Sequence, residues 1–312
     1  MTTPTENRSW LFAPGDDERK IAKAGDAGAD AVILDLEDAV TAARRPAARA
    51  LVSDVVSAPP AGASEHWVRV NPLDTPDALP DLAAAVRPHL TGIVLPKIRS
   101  AADVTTLDHY LAALEAREGI EHGSIGIMVI ATETPEMMFR LGDLAGSSQR
   151  LRACTWGAED LSTALGAATN KGGAAAGPFE GDWDGPYRLA RSLCLFAAVA
   201  AGAQPVDTLL ADFRDDDALA ESTRLARRQG FTGRIAIHPR QVPIINEHFA
   251  PSTDDVAQAE AVVAAFAAQP DAGTVSLEGR MLDRPHLTQA ERVLARAGAA
   301  SLRSDPSRGG RD

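Results

Sequence analysis

Ile125-Gly-Ile-Met-Val-Ile130 is a short apolar run that leads through Ala-Thr to Glu133, just before Pro135 turns the chain. The next unit repeats the pattern, with an apolar run over residues 151–156 that leads to Asp160. A buried strand that ends in an acid favours an end that meets solvent, a cation or a substrate. Two such ends could hold one divalent ion between them. Alternatively, acids in these turns cap the helices that follow, since Pro135 suits a first helical turn.

Six further strand-like runs alternate with helix patterns along the chain. The eight runs are residues 8–14, 31–37, 67–71, 92–97, 125–130, 151–156, 205–211 and 234–238. Their even alternation with helices predicts an α/β fold, namely a parallel (β/α)8 TIM barrel. A doubly wound open sheet is the alternative, but no Gly-x-Gly-x-x-Gly motif follows the first run. The Gly/Ala-rich stretch 166–184 is irregular, and we expect it to be a lid or a binding segment.

The chain is longer than a barrel requires. We expect residues 1–250 to form the barrel as a catalytic domain, and residues 251–300 to form a helical extension that contacts a neighbouring subunit. The polar residues 301–312 are expected to be a disordered tail. The helices expected beyond the barrel strands are residues 242–247, 254–268 and 288–297.

Composition and charge narrow the functional class. The 312 residues are 45% hydrophobic and 24% charged, as in ordinary globular proteins. A formal net charge of −12 argues against nucleic acid or an anionic membrane surface as the partner. Cys154 and Cys194 lie in apolar runs and show no metal spacing, so we expect buried free thiols. No signal core or membrane span is evident, and we expect a cytoplasmic enzyme.

Ionisable and polar side chains stand at nearly every predicted strand end. They are Asp35, Glu37, Arg69, Asn71, Lys97, Glu133, Asp160, Asp212 and His238. In a barrel these ends meet at the C-terminal mouth, where active sites lie. Mg²⁺ usually takes one or two carboxylates and keeps waters, so Glu133 and Asp160 fit as ligands. Zinc is not expected, because neither Cys nor His has ligand spacing. For His238, a packing or backbone-capping role and a catalytic role are equal alternatives.

A series of motifs, in order along residues 8–287, resembles the citrate lyase β-subunit family, the CoA-ester lyase branch of the HpcH/HpaI aldolase superfamily. The motifs are Arg8-Ser-Trp-Leu-Phe-Ala-Pro-Gly15, Leu34-Asp-Leu-Glu-Asp-Ala-Val40, Val68-Arg-Val-Asn71, Leu95-Pro-Lys97, Thr132-Glu-Thr134, Trp156-Gly-Ala-Glu-Asp-Leu161 and Ile237-His-Pro-Arg-Gln-Val242. Gly279-Arg-Met-Leu-Asp283 resembles the segment that members lend to the adjacent subunit's site. Each motif alone is weak, but their combination is specific.

The resemblance implies a Mg²⁺-dependent lyase of a 3-hydroxyacyl-CoA thioester of the malyl-, citramalyl- or citryl-CoA type. It releases acetyl-CoA or propionyl-CoA and a 2-oxo acid, and it is expected to be a homo-oligomer, a trimer or hexamer. Glu133 and Asp160 would be the metal ligands. Arg69 and Glu133 would contact substrate, and Asp283 of a neighbouring chain would transfer a proton near the acetyl carbon.

The chemistry agrees with these roles. A guanidinium at Arg69 is a fixed charge for an enolate or carboxylate oxygen, and a carboxylate must move a proton. Besides Asp283, the catalytic candidates are Asp35 and Glu37, which could instead orient Arg69 and metal-bound water. The side chains that could bind the substrate or the CoA moiety through their positive charge are Arg8, Lys97 and Arg99.

Two other functions stay open at this point. One is a Mg²⁺-dependent aldolase that acts on a free hydroxy-oxo acid without CoA. The other is a β-like subunit that needs an acyl-carrier partner, or a binding module without turnover. The segment Pro135-Glu-Met-Met138 departs from the small residues that many members carry, and the stretch 167–184 is also unusual. Both departures bear on which 2-oxo acid is used.

Overall fold

A computed structural model of the chain describes residues 6–60, 62–171 and 183–304. The chain divides into two units, which we call the barrel unit and the C-terminal unit. The barrel unit is residues 7–246, and the C-terminal unit is residues 247–312 together with residues 1–6. The division falls close to position 250, where the sequence predicts a domain boundary.

Eight parallel strands form a closed barrel in which each strand pairs with the next and β8 pairs with β1. The strands are β1 Ser9–Pro14, β2 Ala31–Asp35, β3 Glu65–Arg69, β4 Gly92–Leu95, β5 Gly126–Ile130, β6 Leu151–Thr155, β7 Gln204–Asp207 and β8 Gly233–Ala236. This closure confirms the predicted (β/α)8 barrel and excludes the doubly wound sheet. All five residues of β2 are buried, as expected for a parallel strand that is covered on both faces.

Helices follow the strands around the barrel. They are α1 Glu18–Gly25, α2 Arg45–Ser57, α3 Ala78–Ala85, α4 Ala101–Glu118, α5 Pro135–Met138, α6 Ala158–Leu165, α7 Gly185–Ala200, α8 Asp216–Gln229 and α9 Gln241–Phe249. Helix α6 is the helix that the capping alternative expects after the sixth run, and it is short and carries two acids in its first turn. Between β5 and β6 the chain forms only the single-turn helix α5 and then a 3-10 turn, Leu141–Leu144.

Two tryptophans dominate the interior of the barrel. Trp10 of β1 and Trp67 of β3 are almost fully buried, and their rings meet edge to face with centroids 5.0 Å apart. The indole N–H of Trp67 donates to Oε2 of Glu65 at 2.8 Å, which satisfies that polar group at the start of the strand. Gly92 of β4 makes room for this packing, since a Cβ there would lie 2.2 Å from the Trp67 ring. The packing of Trp67 on β3 therefore depends on the absence of a side chain at position 92 on β4.

The strands end earlier than the apolar runs suggest, and this shifts several polar residues into loops. β2, β3 and β4 end at Asp35, Arg69 and Leu95. Glu37, Asn71 and Lys97 consequently belong to the turns that follow. The seventh strand ends at Asp207, not at residue 211. The acid at this strand end is therefore Asp207, and Asp212 lies in the loop beyond it.

The C-terminal unit contains a hairpin between two helices. Its elements beyond α9 are α10 Thr253–Ala267, β9 Thr274–Leu277, β10 Arg280–Asp283 and α11 Arg284–Ser304. The sequence reading does not predict the hairpin. Its two-residue turn, Glu278-Gly279, has φ of +50° and +76°, which suits a tight turn between antiparallel strands. Phe266, Val275 and Leu282 join its helices and strands in one apolar cluster.

Helix α11 is longer than expected. It begins at Arg284 and continues to Ser304, which is four residues into the tail 301–312 that we expected to be disordered. The remainder of that tail lies outside the described residues, and so does most of the irregular stretch 166–184. Within the described parts of the chain, no helix has the length and apolar character needed to cross a membrane.

The fit between Gly92 and Trp67 predicts a large effect for a single methyl group. We expect Gly92→Ala to lower the free energy of unfolding by about 1–3 kcal/mol, because the added Cβ overpacks a rigid ring. Gly25→Ala is the matched control, since no atom lies within 4 Å of its added Cβ. Urea unfolding of both variants checks this, and equal midpoints would show that the barrel relaxes around the methyl group.

Candidate active site

The mouth of the barrel brings most of the predicted site residues together. Those linked by a chain of pairwise contacts are Asp35, Glu37, Arg69, Lys97, Glu133 and Asp160. They come from the ends of β2 and β3 and from the turns after β2, β4, β5 and β6. Convergence at the carboxyl ends of parallel strands is the arrangement that barrel enzymes use for active sites.

Arg69 and Asp35 form a bidentate ion pair at the centre of this group. Nε of Arg69 is 2.7 Å from Oδ1 of Asp35, and Nη2 is 2.6 Å from Oδ2. The two residues are partners in the register of β2 and β3, so the sheet itself places them side by side. The guanidinium also lies over the ring of Phe12, 4.8 Å from its centroid. Burial opposes the charge of Arg69, but Asp35 and the nearby acids outweigh it and raise its pKa.

Asp35 has little capacity for other contacts. Besides Arg69, its Oδ1 accepts from the backbone N–H of Glu37 at 3.0 Å, and its Oδ2 accepts from that of Ala39 at 3.1 Å. The carboxylate thus orients the guanidinium and shapes the turn after β2. This geometry fits an orienting role for Asp35 better than a proton-transfer role.

Glu37 is buried between the two cations of the mouth. Its Oε1 is 2.5 Å from Nζ of Lys97, and its Oε2 is 3.1 Å from Nη1 of Arg69. The second contact meets the distance for an ion pair, but it is not aligned as a hydrogen bond, and Oε2 has no hydrogen-bond partner among the described residues. Burial raises the pKa of Glu37, against the attraction of Arg69 and Lys97. Glu37 thus combines a raised pKa with an oxygen that has no hydrogen-bond partner among the described residues.

Lys97 contacts the acids through both its backbone and its side chain. Its N–H donates to Oε2 of Glu133 at 2.6 Å. Its Nζ lies 2.5 Å from Glu37, 3.0 Å from Asp38 and 3.3 Å from Asp160. Burial opposes the charge of Lys97, but hydrogen bonding and attraction to the acids prevail and raise its pKa. Asp38 was not predicted, although it lies within the Leu-Asp-Leu-Glu-Asp motif.

Glu133 is the most strongly perturbed acid of the site. Its side chain is buried, and burial raises its pKa well above the usual value, with repulsion from Asp160 and Glu37 adding to the effect. The hydrogen bond from the N–H of Lys97 opposes this rise without overcoming it. Gly157 gives Glu133 its space, because a Cβ at position 157 would lie 2.8 Å from Cγ of Glu133. Simple helix capping does not account for a buried carboxyl of this kind.

Asp160 completes the group from the first turn of α6. About a third of its side chain is exposed, and it forms an ion pair with Lys97. Glu133 and Asp160 thus present one buried and one accessible carboxylate that repel each other. Within the described residues, no group of three or more His, Cys, Asp or Glu converges as a metal site. Two carboxylates nevertheless match the number of protein ligands that Mg²⁺ usually takes, with water and substrate oxygens filling the rest.

The structure corrects the expectation for Arg8. Arg8 precedes β1, at the end of the barrel opposite the mouth. Its Nε is 2.9 Å from Oδ2 of Asp30 and its Nη2 is 3.0 Å from Oδ1, so it ties the start of β1 to that of β2. Arg99 is also apart from the acids, exposed in the turn after β4 and 3.3 Å from Asp74. Neither arginine joins the group at the mouth.

Two other candidates, Asp212 and His238, lie outside the group, and a third, Asp283, belongs to the C-terminal unit. Asp212 accepts the N–H of Arg214 in the loop after β7. His238 stacks on Phe213 at 4.7 Å and its Nδ1 accepts the N–H of Arg240, which fits packing and capping. Asp283 ends β10 in the C-terminal unit.

There, Oδ1 of Asp283 is 2.5 Å from Nδ1 of His286, and close to half of each side chain is exposed. The carboxylate therefore has access to solvent and an imidazole partner within its own unit. Its role in proton transfer stays a prediction.

A group of polar contacts around Asp207 supports the site and was not predicted from the sequence. The indole N–H of Trp156 donates to Oδ1 of Asp207 at 2.7 Å, and Arg191 of α7 contacts both oxygens of that carboxylate at 3.0 and 3.1 Å. Burial opposes ionisation of Asp207, but Arg191 and Arg234 prevail and lower its pKa. Because Trp156 directly precedes Gly157, these contacts anchor the turn on which Glu133 packs. The one available signal was an acid within the apolar run of β7.

Comparison with known proteins identifies the family. A model described as HpcH/HpaI aldolase/citrate lyase matches residues 8–239, and one described as a C–C bond lyase of the TIM-barrel fold matches residues 193–301. The citrate lyase subunit beta of Leuconostoc mesenteroides subsp. cremoris is 32% identical over 97% of both chains. The L-malyl-CoA/beta-methylmalyl-CoA lyase of Rhodobacter capsulatus is 31% identical over 95% of this chain and 96% of its own.

Solved structures agree with this result. The crystal structure of the protein CitE from Mycobacterium tuberculosis, in complex with magnesium, acetoacetate and coenzyme A, has a TM-score of 0.75 and 34% identity. The similarity covers 93% of this chain and 98% of that one. The resemblance inferred from the sequence motifs is thus confirmed over nearly the whole length. The chain belongs to the HpcH/HpaI aldolase/citrate lyase family of carbon–carbon lyases.

Proposed function

We propose that this protein is a Mg²⁺-dependent CoA-ester lyase, which makes or breaks the bond between the acyl carbon chain of a CoA thioester and a 2-oxo acid. The observation that carries this proposal is the pairing of buried Glu133 with Asp160 beside the fixed guanidinium of Arg69. Relatives named as citrate lyase β-subunits and malyl-CoA lyases, and the magnesium and coenzyme A in a solved relative, support it.

The charge of the mouth supports a metal ion. Five acids surround two cations: Asp35, Glu37, Asp38, Glu133 and Asp160 around Arg69 and Lys97. With all groups ionised, the acids exceed the cations by three charges, in a site where water screens poorly. A divalent cation between Glu133 and Asp160 would reduce this excess and allow both carboxylates to stay ionised. The residues present therefore fit Mg²⁺.

In the reaction, Arg69 supplies a permanent positive charge at the place where an enolate or carboxylate oxygen would develop. Its bidentate contact with Asp35 and its position over Phe12 hold the guanidinium in one orientation before substrate arrives. Bound Mg²⁺ would act as a Lewis acid on the oxygens of the 2-oxo acid. Such preorganised charges stabilise a transition state because they need no rearrangement when the charge forms.

A proton must also move between the substrate hydroxyl or the acetyl carbon and an acid of the enzyme. Glu37 is one candidate, because burial raises its pKa and its Oε2 has no hydrogen-bond partner among the described residues. Asp283 of a neighbouring subunit is the other, and we propose it as the group near the acetyl carbon. Its accessible carboxylate and its family-like segment support this assignment, which also requires a homo-oligomer.

The proposed substrates are 3-hydroxyacyl-CoA thioesters of the malyl-, citramalyl- or citryl-CoA type. Incubation of the protein with acetyl-CoA or propionyl-CoA and glyoxylate, pyruvate or oxaloacetate, with and without Mg²⁺, tests this. We expect one pair to condense only when Mg²⁺ is present, with the product measured by HPLC. Cleavage of free hydroxy-oxo acids without condensation of any CoA thioester would favour a simple aldolase and contradict the proposal.

Glu133→Gln tests the metal site without changing side-chain size. We expect the variant to lose at least a hundredfold in turnover and to lose the Mg²⁺-dependent rise in melting temperature, because the amide is a poor ligand for Mg²⁺. Folding should be retained, since removing a buried acid also removes its desolvation cost. Glu159→Gln, which changes an exposed acid beside Asp160 in the first turn of α6, is the matched control and should behave as the wild type. A misfolded Glu133→Gln variant with normal metal affinity would instead indicate a structural role.

Complementation tests the proposed role of Asp283. Asp283→Ala and Arg69→Ala are each expected to be inactive alone. If the two residues serve one site from different subunits, mixed oligomers of the two variants contain some intact sites and regain part of the activity. Mixing subunits after mild dissociation, followed by the same HPLC assay, measures this. Absence of any recovery in mixtures shown to exchange subunits would place both residues' functions within one chain.

A further inference from the structure

Lys97 has a backbone conformation that is unusual for a residue with a side chain. It follows Pro96 after β4 and has a φ of +51°, in the left-handed region that favours glycine. A non-glycine residue in this region costs of the order of 1 kcal/mol and persists where surrounding contacts hold it. The contacts that Lys97 makes indicate why this position carries a lysine.

The backbone of Lys97 fixes the position of Glu133. With Lys97 in the left-handed conformation, its N–H donates to Oε2 of Glu133 at 2.6 Å. One residue further on, the carbonyl of Ile98 accepts from the hydroxyl of Thr134 at 2.5 Å. The turns after β4 and β5 are therefore joined at two points, at the Glu133 carboxyl and at the neighbouring Thr134 hydroxyl. These contacts do not depend on the side chain of Lys97.

The side chain of Lys97 has a separate set of partners. Nζ contacts Glu37, Asp38 and Asp160, and Asp160 is the contact that bears on metal binding. In the described part of the chain, Lys97 supplies the ion pair that the structure gives to Asp160. The ammonium and a divalent ion held by Glu133 and Asp160 would share this carboxylate, and they would repel each other.

We propose that Lys97 is a positioning residue whose N–H holds Glu133 for metal binding while its ammonium acts as a built-in cation that shares Asp160 with the metal and lowers metal affinity. This inference rests on the proposed metal site and adds to it. In the absence of metal, the ammonium offsets the crowded acids and keeps Asp160 in place. When metal binds, the ammonium limits its affinity, which keeps the ion exchangeable.

The two roles can be separated, because every substitution except proline keeps the N–H. Removing the ammonium should tighten metal binding, since it removes a like charge and exposes Glu37 and Asp38 to the metal's attraction. A purely structural role predicts the reverse, because loss of support would loosen the ligands. The sign of the change therefore distinguishes the two explanations.

Isothermal titration of the full-length, EDTA-treated protein with MgCl₂ and with MnCl₂ measures this without substrate. We expect Lys97→Met to bind either ion about tenfold more tightly than wild type, as for a change of one nearby unit charge. Lys97→Gly should show the same tightening, because it also lacks the charge while glycine accepts the positive φ. Lys97→Arg keeps a charge and should stay near wild type. Lys23→Met, which removes an exposed lysine in the last turn of α1, is the matched control.

Circular dichroism and melting curves establish whether each variant is folded. If Lys97→Met does not fold, the binding measurement on Lys97→Gly provides the test. Tighter binding by both neutral variants, with unchanged Lys97→Arg and Lys23→Met, supports the inference. Unchanged or weaker binding by the folded neutral variants overturns it and leaves the metal site in place. A wild-type protein that binds neither ion would overturn the metal site itself, and the role of Lys97 with it.

Discussion

The bidentate contact between Arg69 and Asp35 is the interaction on which the candidate site depends. It exists because β2 and β3 pair in a register that sets these residues opposite each other at the last position of both strands. A shift of one residue would turn one of the two side chains away from the other. The buried core of the barrel maintains this register. Packing inside the barrel therefore fixes the relative positions of Asp35 and Arg69 at its mouth.

Ionising the buried acids at the mouth costs free energy, and packing elsewhere in the fold offsets this cost. Burial raises the pKa values of both Glu37 and Glu133, so each ionised form is unfavourable in the protein without a counter-ion. A folded chain tolerates such a group where apolar packing such as that of Trp10 and Trp67 supplies a surplus of stability.

Local pattern was enough to predict the barrel, because most of its strands are largely buried apolar runs. It also predicted Glu133 and Asp160 as neighbours, because residues at parallel strand ends share one edge. It failed where a partner is distant in sequence: Arg8 pairs with Asp30 at the other end of the barrel, and Asp207 pairs with Trp156 and Arg191. Short elements such as the hairpin strands β9 and β10 have too little periodicity to stand out, and the positive φ of Lys97 leaves no trace in the sequence.

The four tryptophans of the chain form two pairs with different surroundings. Trp10 and Trp67 meet inside the barrel, whereas Trp156 meets Trp183 edge to face, with centroids 4.9 Å apart, next to the turn that supports Glu133. Closely spaced indoles couple their strong far-ultraviolet transitions, so each pair contributes an exciton signal to the circular dichroism spectrum. The protein thus carries one optical reporter for the integrity of its core and a second for the arrangement of its mouth.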